Sequence, residues 1–126
     1  MKIALCGSTR FRKEFESWNG KLGLAGHVVY SLSCFGREAA DLGKDEAMPL
    51  FSEEEKIILD LVHLRKIQES EAIVVINPGS YIGFSTKREI MWAIMLNKLV
   101  YVLEAPESID KIVGATYDSY SVSDLI

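Results

Sequence analysis

Long apolar runs are missing from this chain, and so is any excess of positive charge. No stretch approaches the ~20 consecutive apolar residues that a membrane helix needs. Acids outnumber bases by 18 to 14, for a net charge of −4, whereas a dedicated nucleic-acid binder would carry a basic face. Cysteine is scarce: Cys6 and Cys34 stand alone, with no metal-ligand spacing between them. Internal repeats and low-complexity segments are absent as well. Met1-Lys2 runs straight into Ile3-Ala4-Leu5-Cys6, a strand pattern in which no signal peptide fits. The expectation is a reduced, cytoplasmic protein with no membrane segment, no nucleic-acid polymer as partner, no metal and no cofactor. At 126 residues it forms one domain, 1–126, large enough to bury a real core.

What is present is an alternation of short apolar runs and amphipathic segments. Lys2 to Cys6 reads as a buried strand. Gly7-Ser8-Thr9 then turns into a helix on which Phe11, Phe15, Trp18 and Leu22 fall at i, i+4, i+7 and i+11, with a stop near Gly26. His27 to Leu32 is a second strand. Residues 33–50 lack periodicity and read as a long loop. Ser52 and Glu55 have the spacing of a capping box that opens a second helix. On that helix Ile57, Leu61, Leu64 and Gln68 share one face, and Lys56, Asp60, His63 and Ile67 another. Ala72 to Ile76 is a third strand, about Thr86 to Asn97 a third helix, and Leu99 to Leu103 a fourth strand. The tail holds a short helical pattern around Ser108 to Val113 and a polar, Tyr-rich end suited to a fifth strand. This order predicts an α/β fold, a flavodoxin-like doubly wound parallel sheet of four to five strands with helices on both faces.

Such sheets bind ligands beyond the carboxyl ends of their strands, where the strand order reverses. Three segments converge there: Gly7-Ser8-Thr9-Arg10, Ser31 to Phe35, and Asn77 to Thr86. The last is the most informative. Asn77-Pro78-Gly79-Ser80-Tyr81-Ile82-Gly83-Phe84-Ser85-Thr86 is a Gly/Ser loop between a strand and a helix. It brings backbone N–H groups to a helix N-terminus, a place suited to an anion. Glu89 follows in the first turn expected for that helix.

The segments "ALCGSTRFRK", "HLRKIQESEAIVVINPGSYIGFSTKREIMWAI" and "KLVYVLE" resemble the nucleoside 2-deoxyribosyltransferase family. Cys6 to Arg10 is most similar to its 2′-deoxynucleoside 5′-phosphate N-hydrolase branch, and the Gly83 to Glu89 pattern recurs in small uncharacterised bacterial and phage relatives. The resemblance covers residues 1–10 and roughly 60–104. It implies a homo-oligomer acting on the N-glycosidic bond of a nucleoside or its 5′-monophosphate. It places the family's nucleophilic glutamate on Glu89, which attacks the anomeric carbon and forms a glycosyl-enzyme. The converging loops give Gly7, Ser8, Thr9, Arg10, Asn77, Gly79, Tyr81, Gly83, Ser85 and Thr86 as the expected substrate contacts, and the resemblance implies that Arg10 and Ser85 hold a 5′-phosphate. Ser85 is slightly displaced from the family's serine.

Two positions depart from the family pattern. The family's acid on the second helix is His63 here, with Asp60 one turn earlier to orient it. Leu5 stands where transferases have Tyr, which favours hydrolysis over transfer. The residues also admit plainer readings. Thr86 and Glu89 have capping-box spacing. Asp60 and His63 are an ordinary i,i+3 surface pair. Arg10, Lys87 and Arg88 read as solvated. Cys6 reads as a packed thiol, and Cys34 has no visible activating base. Trp92 and Tyr81 suit either the core or stacking on a base. A non-catalytic nucleotide-binding module with the same fold is the alternative to an enzyme.

Overall fold

The computed structural model describes residues 1–35, 51–105 and 118–126. Most of the loop read at 33–50, the helical pattern at Ser108 to Val113, and Tyr117 lie outside the described residues. Five strands form one all-parallel sheet: β1 (Lys2–Gly7), β2 (Val28–Tyr30), β3 (Ala72–Ile76), β4 (Leu99–Val102) and β5 (Tyr120–Ser121). Their order is β2-β1-β3-β4-β5. The order reverses between β1 and β3, so the switch point lies where the Gly7–Arg10 and Asn77–Thr86 loops leave the sheet. The fold is the flavodoxin-like one expected, with the fifth strand supplied by the tail.

Strand alternation divides the core in two. On one face Ile3, Leu5, Val74 and Ile76 pack against Phe15 and Leu22 of α1 (Arg12–Leu24) and against Val122 and Leu125 of the C-terminal turn. On the other, Ala4, Cys6, Ile73, Val75, Val100 and Val102 meet Ile67 of α2 (Glu53–Glu69) and Ile90 and Ala93 of α3 (Phe84–Met95). The core takes the α2 face that carries His63 and Ile67, and Ile57 and Leu61 are left exposed.

Helix ends follow local chemistry. Ser52 and Glu55 form the capping box at the start of α2, with reciprocal bonds of 3.1 and 3.0 Å. Gly26, at φ 94°, closes α1, with His27 N–H donating to Leu22 C=O and Gly26 N–H to Gly23 C=O. Asn97, at φ 57°, closes α3 in the same way, through Lys98 N–H to Ala93 C=O and Asn97 N–H to Ile94 C=O.

The start of α3 differs from expectation. The helix begins at Phe84, with Gly83 as an N-cap that offers no side-chain bond. Thr86 and Glu89 are therefore inside the helix, and the capping-box reading of that pair does not hold. Its buried stripe is Thr86, Glu89, Ile90 and Ala93, spaced i, i+3, i+4 and i+7. Glu89 thus occupies a core-facing position.

Asn77 ties the Gly/Ser loop to the end of β4. Its Oδ1 accepts from Leu103 N–H at 3.1 Å and Glu104 N–H at 3.2 Å, and its Nδ2 donates to Glu104 C=O at 2.7 Å. Ser80 N–H donates to a Glu104 carboxylate oxygen at 2.8 Å, which holds the loop from its other side. Asn77 is fully buried. Removing its amide takes a partner from Glu104 N–H and Glu104 C=O and leaves Leu103 N–H only its longer bond to Val75 C=O at 3.4 Å, so Asn77→Ala is expected to cost about 2 kcal/mol. Urea unfolding checks this: the midpoint should fall while the m-value stays constant.

Candidate active site

Three side chains from three elements meet under the switch-point loops. Alternation along β1 sends Cys6 to the same face as Ala4. His63 lies one turn before Ile67 on α2, and Glu89 one turn before Ala93 on α3. All three are buried. His63 Nε2 is 3.5 Å from Cys6 Sγ and 3.8 Å from Glu89 Oε1. One donor atom from each residue lies within 4.8 Å of the other two. A sulfur, a nitrogen and an oxygen at these separations are also a donor set able to hold a metal ion. Linear spacing could not reveal it, because each donor comes from a different element. The alternation of β1 was the available signal that Cys6 belongs with the site.

Burial dominates the electrostatics here. It pushes the Glu89 carboxyl up from its ordinary 4.5 to about 8. The Arg88 charge opposes the rise and Asp60 adds to it. Burial likewise pulls His63 down from 6.5 to about 4; Lys66 adds to that fall and Asp60 opposes it. The Cys6 thiol is driven well above its usual range, first by burial and then by Glu89. His63 and Glu89 have the spacing of an ion pair. Desolvation nevertheless leaves them a neutral imidazole and a neutral acid between those two values. The helix dipole does not offset this, because its effect is confined to the first turn and Glu89 sits beyond it. Glu89 Oε2 and His63 Nδ1 have no partner among the described residues.

The expected Asp60–His63 pair is not formed. Asp60 Oδ2 accepts from Arg88 Nη2 at 2.9 Å, linking α2 to α3 at the half-exposed edge of the site. Arg88, expected to be solvated, is thus paired, and its guanidinium lies 5.0 Å from the Trp92 ring.

The loops above the cluster touch each other. Gly7 sits where a Cβ would come within 2.7 Å of the Ile76 carbonyl, which lets β1 and β3 stay close at their carboxyl ends. Ser8 caps a short 3₁₀ turn, its hydroxyl accepting from Arg10 N–H at 3.3 Å. Thr9 is exposed. The Arg10 guanidinium lies 4.2 Å from the Tyr81 ring centroid, and Phe11 meets the same ring edge-on at 5.9 Å. Gly79 is exposed at φ 65°. Gly83 leaves the first N–H groups of α3 free of side-chain caps; Ser85 is exposed beside them and Thr86 is buried. Phe84, not anticipated as a site residue, is 82% exposed at this helix start. Asn77, expected to contact substrate, is fully buried and its amide is engaged with Leu103 and Glu104. The second loop joins α2: Lys66 Nζ donates to Ser31 C=O at 2.7 Å and to Ser33 Oγ at 2.8 Å.

No protein-family model matches the chain, and no curated relative is found. The sheet order and its flanking helices nevertheless define a nucleoside 2-deoxyribosyltransferase-like fold. Two solved structures carry the likeness. One is the 2-deoxyribosyltransferase of the psychrotolerant bacterium Bacillus psychrosaccharolyticus, with a TM-score of 0.62 at 16% identity over 99% of this chain and 96% of that one. The other is the CMP N-glycosidase of Clostridium botulinum, with a TM-score of 0.54 at 16% identity over 98% and 92%.

The opposed shifts of Glu89 and His63 set a pH dependence of stability. Between pH 6.5 and 8 the unfolded chain has released the Glu89 proton and the folded chain retains it, so stability falls as pH rises. The slope approaches about 1.4 kcal/mol per pH unit. Between 4.5 and 6.5 the His63 shift acts with the opposite sign and flattens the profile. Urea unfolding of chelator-treated protein across this range should show the fall in the wild type and its disappearance in Glu89→Gln.

Proposed function

We propose that this protein cleaves the N-glycosidic bond of a nucleoside or its 5′-monophosphate, with Glu89 as the nucleophile and His63 as the proton donor to the departing base. The observation that carries this reading is a carboxyl group buried 3.8 Å from an imidazole, beneath the loops at the switch point. The fold shared with a deoxyribosyltransferase and a CMP N-glycosidase supports it.

The chemistry conserves one proton. Glu89 passes its proton to His63 Nε2, which makes a carboxylate and an imidazolium together. The carboxylate attacks the anomeric carbon as the bond to the base breaks, and His63 returns the proton to the base nitrogen. Water then attacks the glycosyl ester with His63 as base, and Glu89 regains its proton. Cleavage through an oxocarbenium-like transition state gains most from a carboxylate formed only when substrate is in place. Arg10 and the free N–H groups at the start of α3, with Ser85, would hold a 5′-phosphate. Tyr81 and the exposed Phe84 offer ring faces to a base.

The neutral state of Glu89 is also compatible with a second reading, a nucleotide-binding module without turnover. Assembly into a homo-oligomer is part of the proposal, supported by the apolar residues Ile57, Ile58, Leu61, Met91 and Met95 exposed on α2 and α3.

Incubating the protein with deoxynucleosides and their 5′-monophosphates, and assaying free base, tests the reading. Glu89→Gln should lower base release by at least about 10³-fold while binding persists. His63→Ala should cost about 10²–10⁴-fold, most for poor leaving groups. Binding without any base release in the wild type would leave the binding module standing.

Arg10→Ala should weaken binding of monophosphates by roughly tenfold or more and leave nucleosides unaffected. Equal loss for both ligands, measured by calorimetric titration, would remove Arg10 from a phosphate site.

A further inference from the structure

We propose that Cys6 Sγ, His63 Nε2 and a Glu89 carboxylate oxygen form a binding site for a borderline-soft divalent cation of the zinc type, and that an occupied site excludes glycosidic cleavage. The proposal uses the residues of the proposed function but stands on their donor geometry alone.

A tetrahedral cation about 2.3 Å from sulfur and about 2.0–2.2 Å from nitrogen and oxygen requires donors about 3.4–3.6 Å apart. The Sγ–Nε2 separation of 3.5 Å already meets this, and the Nε2–Oε1 separation of 3.8 Å is close to it. The third edge is no longer than 4.8 Å. It closes by rotation of the Glu89 carboxyl, whose Oε2 has no partner among the described residues to hold it back. Each donor is carried by a different packed element, β1, α2 or α3, so the three are positioned before any ion arrives.

The donor types select the ion. One thiolate, one imidazole and one carboxylate suit zinc and cobalt, whereas magnesium and calcium take oxygen ligands throughout. Cys6 and Glu89 bind as anions and release their protons to solvent. Three protein ligands leave a fourth position for water or a substrate atom. The neighbouring cations do not occupy the space: Arg88 is bonded to Asp60, and Lys66 to Ser31 and Ser33. Exclusion of cleavage follows from competition for one atom: His63 Nε2 cannot carry a proton to the base while its lone pair binds a cation, and coordination also draws negative charge from the Glu89 carboxylate.

Titration of chelator-treated protein with Co²⁺, followed by near-ultraviolet and visible absorption, tests the site. One Co²⁺ per chain should bind, with a thiolate-to-cobalt charge-transfer band that Zn²⁺ abolishes by displacement. The band should vanish in Cys6→Ser and survive in Cys34→Ser, since Cys34 is the exposed second thiol. His63→Gln and Glu89→Gln should each weaken binding by at least about tenfold. Absence of the band, or its loss only in Cys34→Ser, overturns the site. Should Cys6→Ser fail to fold by circular dichroism, unchanged Co²⁺ affinity in both His63→Gln and Glu89→Gln overturns it equally. In a parallel assay, stoichiometric Zn²⁺ should suppress base release; undiminished turnover by the loaded protein overturns the exclusion. A metal-free protein that releases no base defeats the glycosidase reading and leaves the cobalt spectrum to decide the site.

Discussion

Strands β1 and β3 run side by side from Ile3–Ala72 to Gly7–Ile76, and the placement of the site follows from this pairing. The strand order reverses between them, so the loops that leave their carboxyl ends meet at the switch point and lead to helices on opposite faces, α1 and α3. Gly7 makes the close approach possible, since any side chain there would strike the Ile76 carbonyl. The same register fixes the alternation that turns Cys6 toward α2 and α3. Were β1 displaced by one residue, Cys6 would face α1 instead, and His63 and Glu89 would face an aliphatic side chain.

Burial then sets the chemistry. Among the described residues no lysine or arginine pairs with Glu89, and the nearby Arg88 is bonded to Asp60. Desolvation therefore outweighs pairing, and the three groups rest in their neutral forms. On the proposed reading, a nucleophile held as an acid has to be unmasked, and the imidazole beside it is the group placed to take the proton. A dication reverses that balance by favouring the deprotonated forms of Cys6 and Glu89. The proposed cleavage and the proposed cation site would draw on the same donor atoms.

The loop above the cluster is held by backbone contacts more than by its own composition. Asn77 and Glu104 fasten it to the end of β4, and Arg10 and Phe11 close on Tyr81 from the first loop. Among the described residues no side chain caps the first N–H groups of α3, because Gly83 has none to offer.

Much of this was legible in the sequence. Apolar runs alternating with 3.6-residue stripes dictate strands covered by helices, and Ser52, Glu55, Gly26 and Asn97 mark helix ends through local hydrogen bonding and backbone conformation. Loop convergence at the switch point follows from the topology, and the family resemblance singled out Glu89 and His63 as candidates. Three features depended on tertiary packing. Asp60 turned to Arg88, a partner 28 residues away that spacing along one helix cannot show. Asn77 went to the β4 backbone, a contact 26 to 27 residues distant. The charge states of Cys6, His63 and Glu89 were decided by how completely three separate elements exclude water around them, a property of the assembled core that no single segment carries.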